Sequence, residues 1–408
     1  MSKIKLIKNA SMLYLLNAAK IIFPLLTFPY LTRVLSVEGY AVMAYVKAVM
    51  AYMYIWVDFG FVLSATKNIV KAENSPKKIN QIVSDTMLAR ILLGLAGAVI
   101  LIILSCFIPL LRQNLLFTWL SYVTVFLSCF MVDFLFRGLE RMHEVTIRFV
   151  LMKAISTALT FILVHSDGDL LLIPILDILS SVAALVLIYF QFGKYKVCLV
   201  IPSLKNAWAY LKESSQYFIS NVATSAFGIL NTVLIGIFLP EADVAIWAVS
   251  LQLIWSVQMC YDPIVDGVYP EMMRNKEFSL IKKLLFIFMP LILVGCVICY
   301  FASPLIIHLA AGAKYTPAVS IFRLMIPVLL FAFPVMLLGW PALGAIGKVK
   351  ENTLTTIIAA CTQGFGLGIL LLGGLFTLPF IAIVRDITEG VFLASRIFLV
   401  AKYRKHFD

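Results

Sequence analysis

Windows of about 18–25 apolar residues recur from one end of the chain to the other, each long enough to cross a hydrocarbon core of about 30 Å. Nothing else in the sequence restricts the fold so strongly. A soluble domain is about 45–50% apolar and about 25% charged. This chain of 408 residues is 62% hydrophobic and 13% charged, with a mean hydropathy of +1.00. Such a composition cannot be given a polar shell in water. The first window, NASMLYLLNAAKIIFPLLTFPYL, follows a few lysines and has no small-residue cleavage site before the next one, so it reads as a retained helix rather than a signal peptide.

The windows divide the chain into twelve expected spans: 10–31, 40–62, 84–108, 114–136, 146–164, 170–190, 213–238, 243–266, 283–306, 318–340, 352–373 and 376–400. The connections are short, which leaves no room for a catalytic domain outside the membrane. Charge tests this count independently, because cytoplasmic flanks carry the lysines and arginines. One alternate set of connections and flanks holds Lys3, Lys5 and Lys8, Lys67 to Lys78, Arg137, Arg141 and Arg148, Lys194 to Lys212, Arg274 to Lys283, Lys348 and Lys350, and Arg396 to Lys405. That set carries twenty-four basic residues, and the opposite set carries three, Arg33, Arg112 and Lys314. The bias predicts that both termini are cytoplasmic. It also accounts for most of the net charge of +12 without a nucleic-acid partner.

Several chemistries lack an anchor. The seven cysteines show no paired CxxC arrangement and no Cys/His ligand spacing. Cys296 and Cys299 are two residues apart on an expected span, without His or carboxylate nearby, and read as packing. There is no HExxH, so no metal site is expected, and no GxxxxGK[ST] loop for ATP. No cofactor and no enzymatic activity are expected.

Residues 34–60, VLSVEGYAVMAYVKAVMAYMYIWVDFG, align with 237–267, IFLPEADVAIWAVSLQLIWSVQMCYDPIVDG, about half the chain later. Each has a short acidic turn, a long aromatic span and an Asp-containing exit. The repeat predicts two parallel six-helix lobes, 1–200 and 201–408, of the kind that supports alternating access around a midline cavity. The expected fold class is therefore all-α, a polytopic membrane protein with twelve transmembrane helices in two six-helix lobes.

Six basic residues remain inside spans: Lys20, Lys47, Arg90, Lys153, Arg323 and Arg385. A charge facing lipid at mid-membrane costs at least a few kcal/mol, so such residues normally line a bundle interior or a wet cavity. At 1.5 Å per residue, Lys20 and Arg385 fall near the middle, Lys47 and Arg323 in the outer half, and Arg90 and Lys153 in the inner half. They read as a ladder of candidate substrate-binding residues. Snorkelling explains Arg90, Lys153 and Arg323 equally well, and an i,i+4 pair with Glu389 explains Arg385. Lys20 and Lys47 have no acidic partner within a turn. Among the acidic residues, Asp58, Asp133, Asp262 and Asp266 lie toward inner ends, where pairing with basic residues is the simpler reading. Asp177 lies near mid-depth beside Pro174, a candidate for ion coupling or a plain counter-charge. Pro24, Pro29, Pro263, Pro327 and Pro334 mark bends, and Gly364 and Gly368 have small-xxx-small spacing for close helix packing.

The opening ASMLYLLNAAKIIFPLLTFPYLTRVLSVEGYAVMAY, the exit WVDFG, the segment VDFLFRGLERMHEVTIRFVLMK and the stretch LKESSQYFISN together resemble the O-antigen and polysaccharide flippases of the Wzx type. These belong to the superfamily that also contains the multidrug and toxic compound exporters. Arg137 stands where glutamine is more usual in that family. The resemblance implies a substrate, an undecaprenyl-pyrophosphate-linked oligosaccharide moved from the cytoplasmic to the periplasmic leaflet of the bacterial inner membrane. It also implies surrounding membrane lipids and the polysaccharide polymerase and chain-length machinery as partners. An ion-coupled drug or metabolite antiporter of the same superfamily is the alternative, although cationic drugs fit a basic ladder poorly.

Overall fold

The computed structural model describes residues 3–72, 75–195 and 197–407, apart from the side chains of residues 3–10, 220, 223, 224, 226 and 227. Lys196 and the side chains of Lys3, Lys5 and Lys8, used above for topology, lie outside the described residues. Among the described residues the fold is all helix, with no strand. A chain that enters lipid has to satisfy its backbone internally, and a helix does so within one segment.

The helices are α1 (Lys3–Val34), α2 (Val37–Asp58), α3 (Phe61–Lys71), α4 (Pro76–Phe107), α5 (Pro109–Gln113), α6 (Leu115–Leu127), α7 (Asp133–Gly138), α8 (Met142–Leu163), α9 (Leu172–Tyr195) and α10 (Leu204–Phe238). They continue with α11 (Glu241–Gln258), α12 (Asp262–Asn275), α13 (Phe278–Ala311), α14 (Ala318–Leu337), α15 (Val349–Leu372) and α16 (Leu378–Lys402). Every expected span overlaps one of these helices. Among the described residues, nine segments are long and apolar enough to cross a membrane, or ten when α11 and α12, bent by 40°, count as one. α16 stands outside the nine because Arg385, Asp386, Glu389 and Arg396 interrupt its apolar run.

Helix lengths repeat along the chain. α2, α3 and α4 contain 22, 11 and 32 residues, and α11, α12 and α13 contain 18, 14 and 34. The α8–α9 pair of 22 and 24 residues is answered by α15–α16 with 24 and 25. In this order α10 opens the second set. By packing, the chain forms two compact units, Met1–Val222 and Ala223–Asp408, whose boundary falls inside α10.

The first half of α10 belongs to the first unit for identifiable reasons. Ser64 and Ser214 share a hydroxyl hydrogen bond of 2.6 Å, Lys67 and Asn68 donate to Glu213 at 3.2 and 3.0 Å, and Phe59 stacks on Phe218 at 4.3 Å. Gly60 has φ +81°, and a Cβ there would lie 2.5 Å from Tyr217 Cβ, so only glycine permits the turn and the approach. The preceding connection is tied to α4: Cys198 N donates to Asn80 Oδ1 at 3.1 Å, Val200 N to Ser84 Oγ at 2.9 Å, and Ser203 N to the buried Asp85 at 2.6 Å.

In the first unit, Phe61, Phe134, Leu135, Phe136 and Met142 anchor the core. In the second, the core gathers Tyr261, Phe333, Leu337 and Leu343. The expected packing role of Gly364 and Gly368 is not found, since a Cβ on either meets nothing within 4 Å. Gly366 makes the close approach instead, with its would-be Cβ 2.7 Å from Val384.

Candidate functional site

Between α6 and α8 the helix does not run straight on. Residues Ser128–Phe130 form a single 3-10 turn, Met131 is extended (φ −80°, ψ 123°), α7 lasts six residues, and Glu140 has φ +56°. The short α7 buries Phe134, Leu135 and Phe136. Asp133 and Arg137, four residues apart and so on one helix face, both line a cavity of about 610 Å³ inside the first unit.

Eight charged side chains reach this cavity: Lys20 from α1, Asp58 from the end of α2, Arg90 from α4, Asp133 and Arg137 from α7, Arg148 and Lys153 from α8, and Asp177 from α9. Five are basic and three acidic, a formal excess of two positive charges. Some pair internally. Arg148 forms an ion pair with Asp133. Lys153 Nζ lies 3.4 Å from Asp177 Oδ1, the oxygen to which Ser156 Oγ donates at 3.5 Å. Arg90 Nη1 donates to the Met131 carbonyl at 2.6 Å, in the broken stretch of chain. Lys20 Nζ lies 6.0 Å from the centre of the Phe149 ring, at the limit of a cation–π contact.

The pairing is incomplete. Among the described residues, Arg90 Nε, Arg137 Nε and Arg148 Nη1 are buried without a hydrogen-bond partner. Arg90 and Arg148 are only 6% and 5% exposed. A buried polar donor left unsatisfied costs about 1–3 kcal/mol, more when charged, and native folds keep few of them. Arg90, Arg137 and Arg148 all line the cavity, and guanidinium groups match phosphate oxygens in a fixed fork.

A second cavity of about 230 Å³ holds Lys47 and shares Tyr54, Thr124 and Asp177 with the first. The six basic residues of the expected ladder are thus distributed unequally. Lys20, Arg90 and Lys153 line the large cavity, and Lys47 lines the small one. Arg323 and Arg385 lie in the second unit. Arg323 Nε donates to Ser303 Oγ at 2.7 Å and to the Tyr300 carbonyl at 3.1 Å, fastening α14 to α13. Arg385 forms the i,i+4 pair with Glu389 at 2.8 Å, with both side chains buried. Asp177 is the counter-charge of Lys153 and borders both cavities. Among the described residues no cluster of His, Cys, Asp or Glu could hold a metal ion.

Residues 6–276 match the family described as polysaccharide biosynthesis protein. The chain belongs to the polysaccharide biosynthesis protein family. It is 30% identical over 281 residues to a candidate O-antigen transporter of Shigella dysenteriae, covering 68% of this chain and 70% of the relative. A candidate O-antigen transporter of Escherichia coli (strain K12) is 26% identical over 341 residues, 80% of each chain. The fold is shared with solved transporters. An inward-facing multidrug resistance MATE family transporter of the MOP superfamily superposes with a TM-score of 0.71 at 14% identity, covering 96% of this chain and 95% of that one. The lipid II flippase MurJ, in an inward closed conformation, gives 0.70 at 17% identity, covering 97% and 87%.

In this member of the polysaccharide biosynthesis protein family, the charged cavity residues outside the expected site are Asp58, Asp133, Arg137 and Arg148. Arg137 and Arg148 stand near span ends, where a basic residue reads as cytoplasmic flank. The available signal was the four-residue spacing of Asp133 and Arg137 within an aromatic run, which places a charged pair on one face of a helix whose other face is apolar. Arg396 reads in the same way. It is buried, donates to the Val335 carbonyl and to Thr355 Oγ1, and fills the space beside Gly339.

Proposed function

We propose that the chain is a flippase for an undecaprenyl-pyrophosphate-linked oligosaccharide, an O-antigen or related repeat unit. On this reading it carries the headgroup from the cytoplasmic to the periplasmic leaflet of the bacterial inner membrane while the prenyl tail stays in lipid. The observation that carries the proposal is the convergence of five basic side chains, Arg90, Arg137 and Arg148 among them, on one cavity with an excess of positive charge. A pyrophosphate joining a prenyl chain to a sugar is a dianion and needs a polar route through hydrocarbon, which a basic cavity supplies. Lys20 and Lys153 add to the attraction, and Asp133 and Asp177 hold the cations in place until the anion arrives. The names of the O-antigen transporter relatives and of MurJ support the same substrate class.

The topology proposed with it has twelve spans in two lobes and both termini in the cytoplasm. Translocation proceeds by alternating access and hands the product to polymerase and chain-length machinery. Asp177, placed between Lys153 and the small cavity, is the proposed ion-coupling group. Proteoliposomes loaded with a fluorescent undecaprenyl-pyrophosphate-linked oligosaccharide test the proposal against the drug-antiporter reading. The flippase moves the lipid-linked oligosaccharide at a protein-dependent rate and does not exchange ethidium for protons. Ethidium antiport with no lipid transfer would reverse the assignment.

A further inference from the structure

The smaller cavity differs in chemistry from its neighbour. The large one sets five basic and three acidic side chains among apolar ones, whereas the small one has Lys47 as its one basic residue and sets it, with Ser121, Thr124 and Asp177, among Met50, Tyr54, Phe117, Ile173 and Pro174. The Lys47 ammonium opens into it and forms no hydrogen bond or ion pair among the described residues, although it lies within electrostatic reach of Asp177 and Lys153. Thr124 lines both cavities. Ser121 contributes a second hydroxyl, which donates to the Phe117 carbonyl at 2.8 Å and keeps its lone pairs. Asp177 contributes an acceptor fixed by Lys153 and Ser156. Tyr54, 38% exposed, stands at the junction. Its ring offers an apolar face with a polar tip.

A volume of about 230 Å³ is below the roughly 300–1,000 Å³ of pockets for drug-sized ligands, and suits one six-membered ring carrying hydroxyls. Its position also matters. A headgroup in which a sugar is bonded directly to a phosphate must place that sugar next to the phosphate site, and the two cavities meet at Tyr54, Thr124 and Asp177. We propose that the small cavity is the subsite for the first sugar, the ring bonded to the pyrophosphate, and that Lys47 and Ser121 read its substituents while Tyr54 stacks on its face. Lys47 is then a specificity residue rather than a rung for the phosphate. This rests on the proposal that the large cavity binds the pyrophosphate.

The test uses the full chain in detergent with P1-farnesyl P2-methyl pyrophosphate as the bare probe, a diester of the same charge as the sugar-linked compounds, and a panel of farnesyl-pyrophosphoryl monosaccharides: glucose, galactose, N-acetylglucosamine and N-acetylgalactosamine. At least one sugar should bind about tenfold more tightly than the bare probe, the scale of one or two polar contacts. Lys47→Gln, and Ser121→Phe which fills the cavity, should each bring that ratio to about one. A wild-type ratio near one for the whole panel overturns the subsite. So does a tenfold ratio that survives in both variants, or a Lys47→Gln variant that weakens bare and sugar-bearing probes equally. The underlying reading fails separately: if Arg90→Gln and Arg148→Gln leave bare-probe affinity intact, the large cavity does not bind the pyrophosphate.

Discussion

Replacing Asp133 by Asn should weaken the fold and tighten anion binding at the same time. Asp133 is the ion-pair partner of Arg148, whose side chain is 5% exposed while that of Asp133 is 34% exposed. Removing one member of a buried pair costs about 3–5 kcal/mol. With a third of the carboxylate open to solvent, and with the amide still able to accept a hydrogen bond, the expected loss is roughly 1–3 kcal/mol. Binding moves the other way. Asp133→Asn raises the formal excess of positive charge on the cavity from two to three and frees the Arg148 fork. One unit charge about 10 Å from the anion at an effective dielectric constant near 20 is worth about 1.7 kcal/mol, or more than tenfold in Kd. The assay is a parallel measurement of thermal midpoint and of Kd for farnesyl pyrophosphate on the same preparation. Arg148→Gln is the companion variant, expected to lose stability and affinity together. Equal shifts in affinity for Asp133→Asn and Arg148→Gln, or none in either, would refute the electrostatic reasoning.

Three further outcomes follow from named residues. Gly339→Ala puts a Cβ 2.5 Å from Arg396 Nη1, and Arg396 cannot retreat without leaving the Val335 carbonyl and the Phe392 ring 4.2 Å away; thermal unfolding should show a loss of about 1–3 kcal/mol, and an unchanged midpoint would contradict it. In a cysteine-free background, Lys71→Cys should react with an impermeant maleimide only from the cytoplasmic side and Gly168→Cys only from the periplasmic side; labelling of both from one side removes the twelve-span topology. Asp177→Asn should abolish any acceleration of flipping by an imposed proton or sodium gradient, and identical wild-type rates with and without both gradients would leave Asp177 as the counter-charge of Lys153 alone.

The helices were legible because hydropathy and backbone satisfaction in lipid depend on sequence alone. The half-chain repeat showed as well, in the common order of α2–α3 and α11–α12. Among the site residues, Lys20, Arg90, Lys153 and Asp177 could be found because a charge inside an apolar run has few places to point, and the structure brings these four to one cavity. Reading depth along each helix could not separate them from Arg323 and Arg385, whose partners Ser303 and Glu389 are matters of azimuth and of neighbouring helices. Arg137 and Arg148 escaped for the opposite reason. Both stand near span ends, where a basic residue normally reports topology, and only the placement of α7 and α8 in the folded unit sets them on the cavity. The same confusion hid Arg396 at the broken end of α14, which Gly339 and Pro341 signal in hindsight.

The central claim is that the anion passes through the basic cavity of the first unit. Flipping of a fluorescent undecaprenyl-pyrophosphate-linked oligosaccharide in proteoliposomes, expressed per molecule of inserted protein, tests it most directly across Arg90→Gln, Arg137→Gln and Arg148→Gln, with Arg323→Gln as the comparison. The account predicts at least about tenfold slower transfer for each cavity variant, the loss of one charge-assisted contact of about 1.5–3 kcal/mol, and a rate near that of wild type for Arg323→Gln. Wild-type rates in all three cavity variants would contradict it.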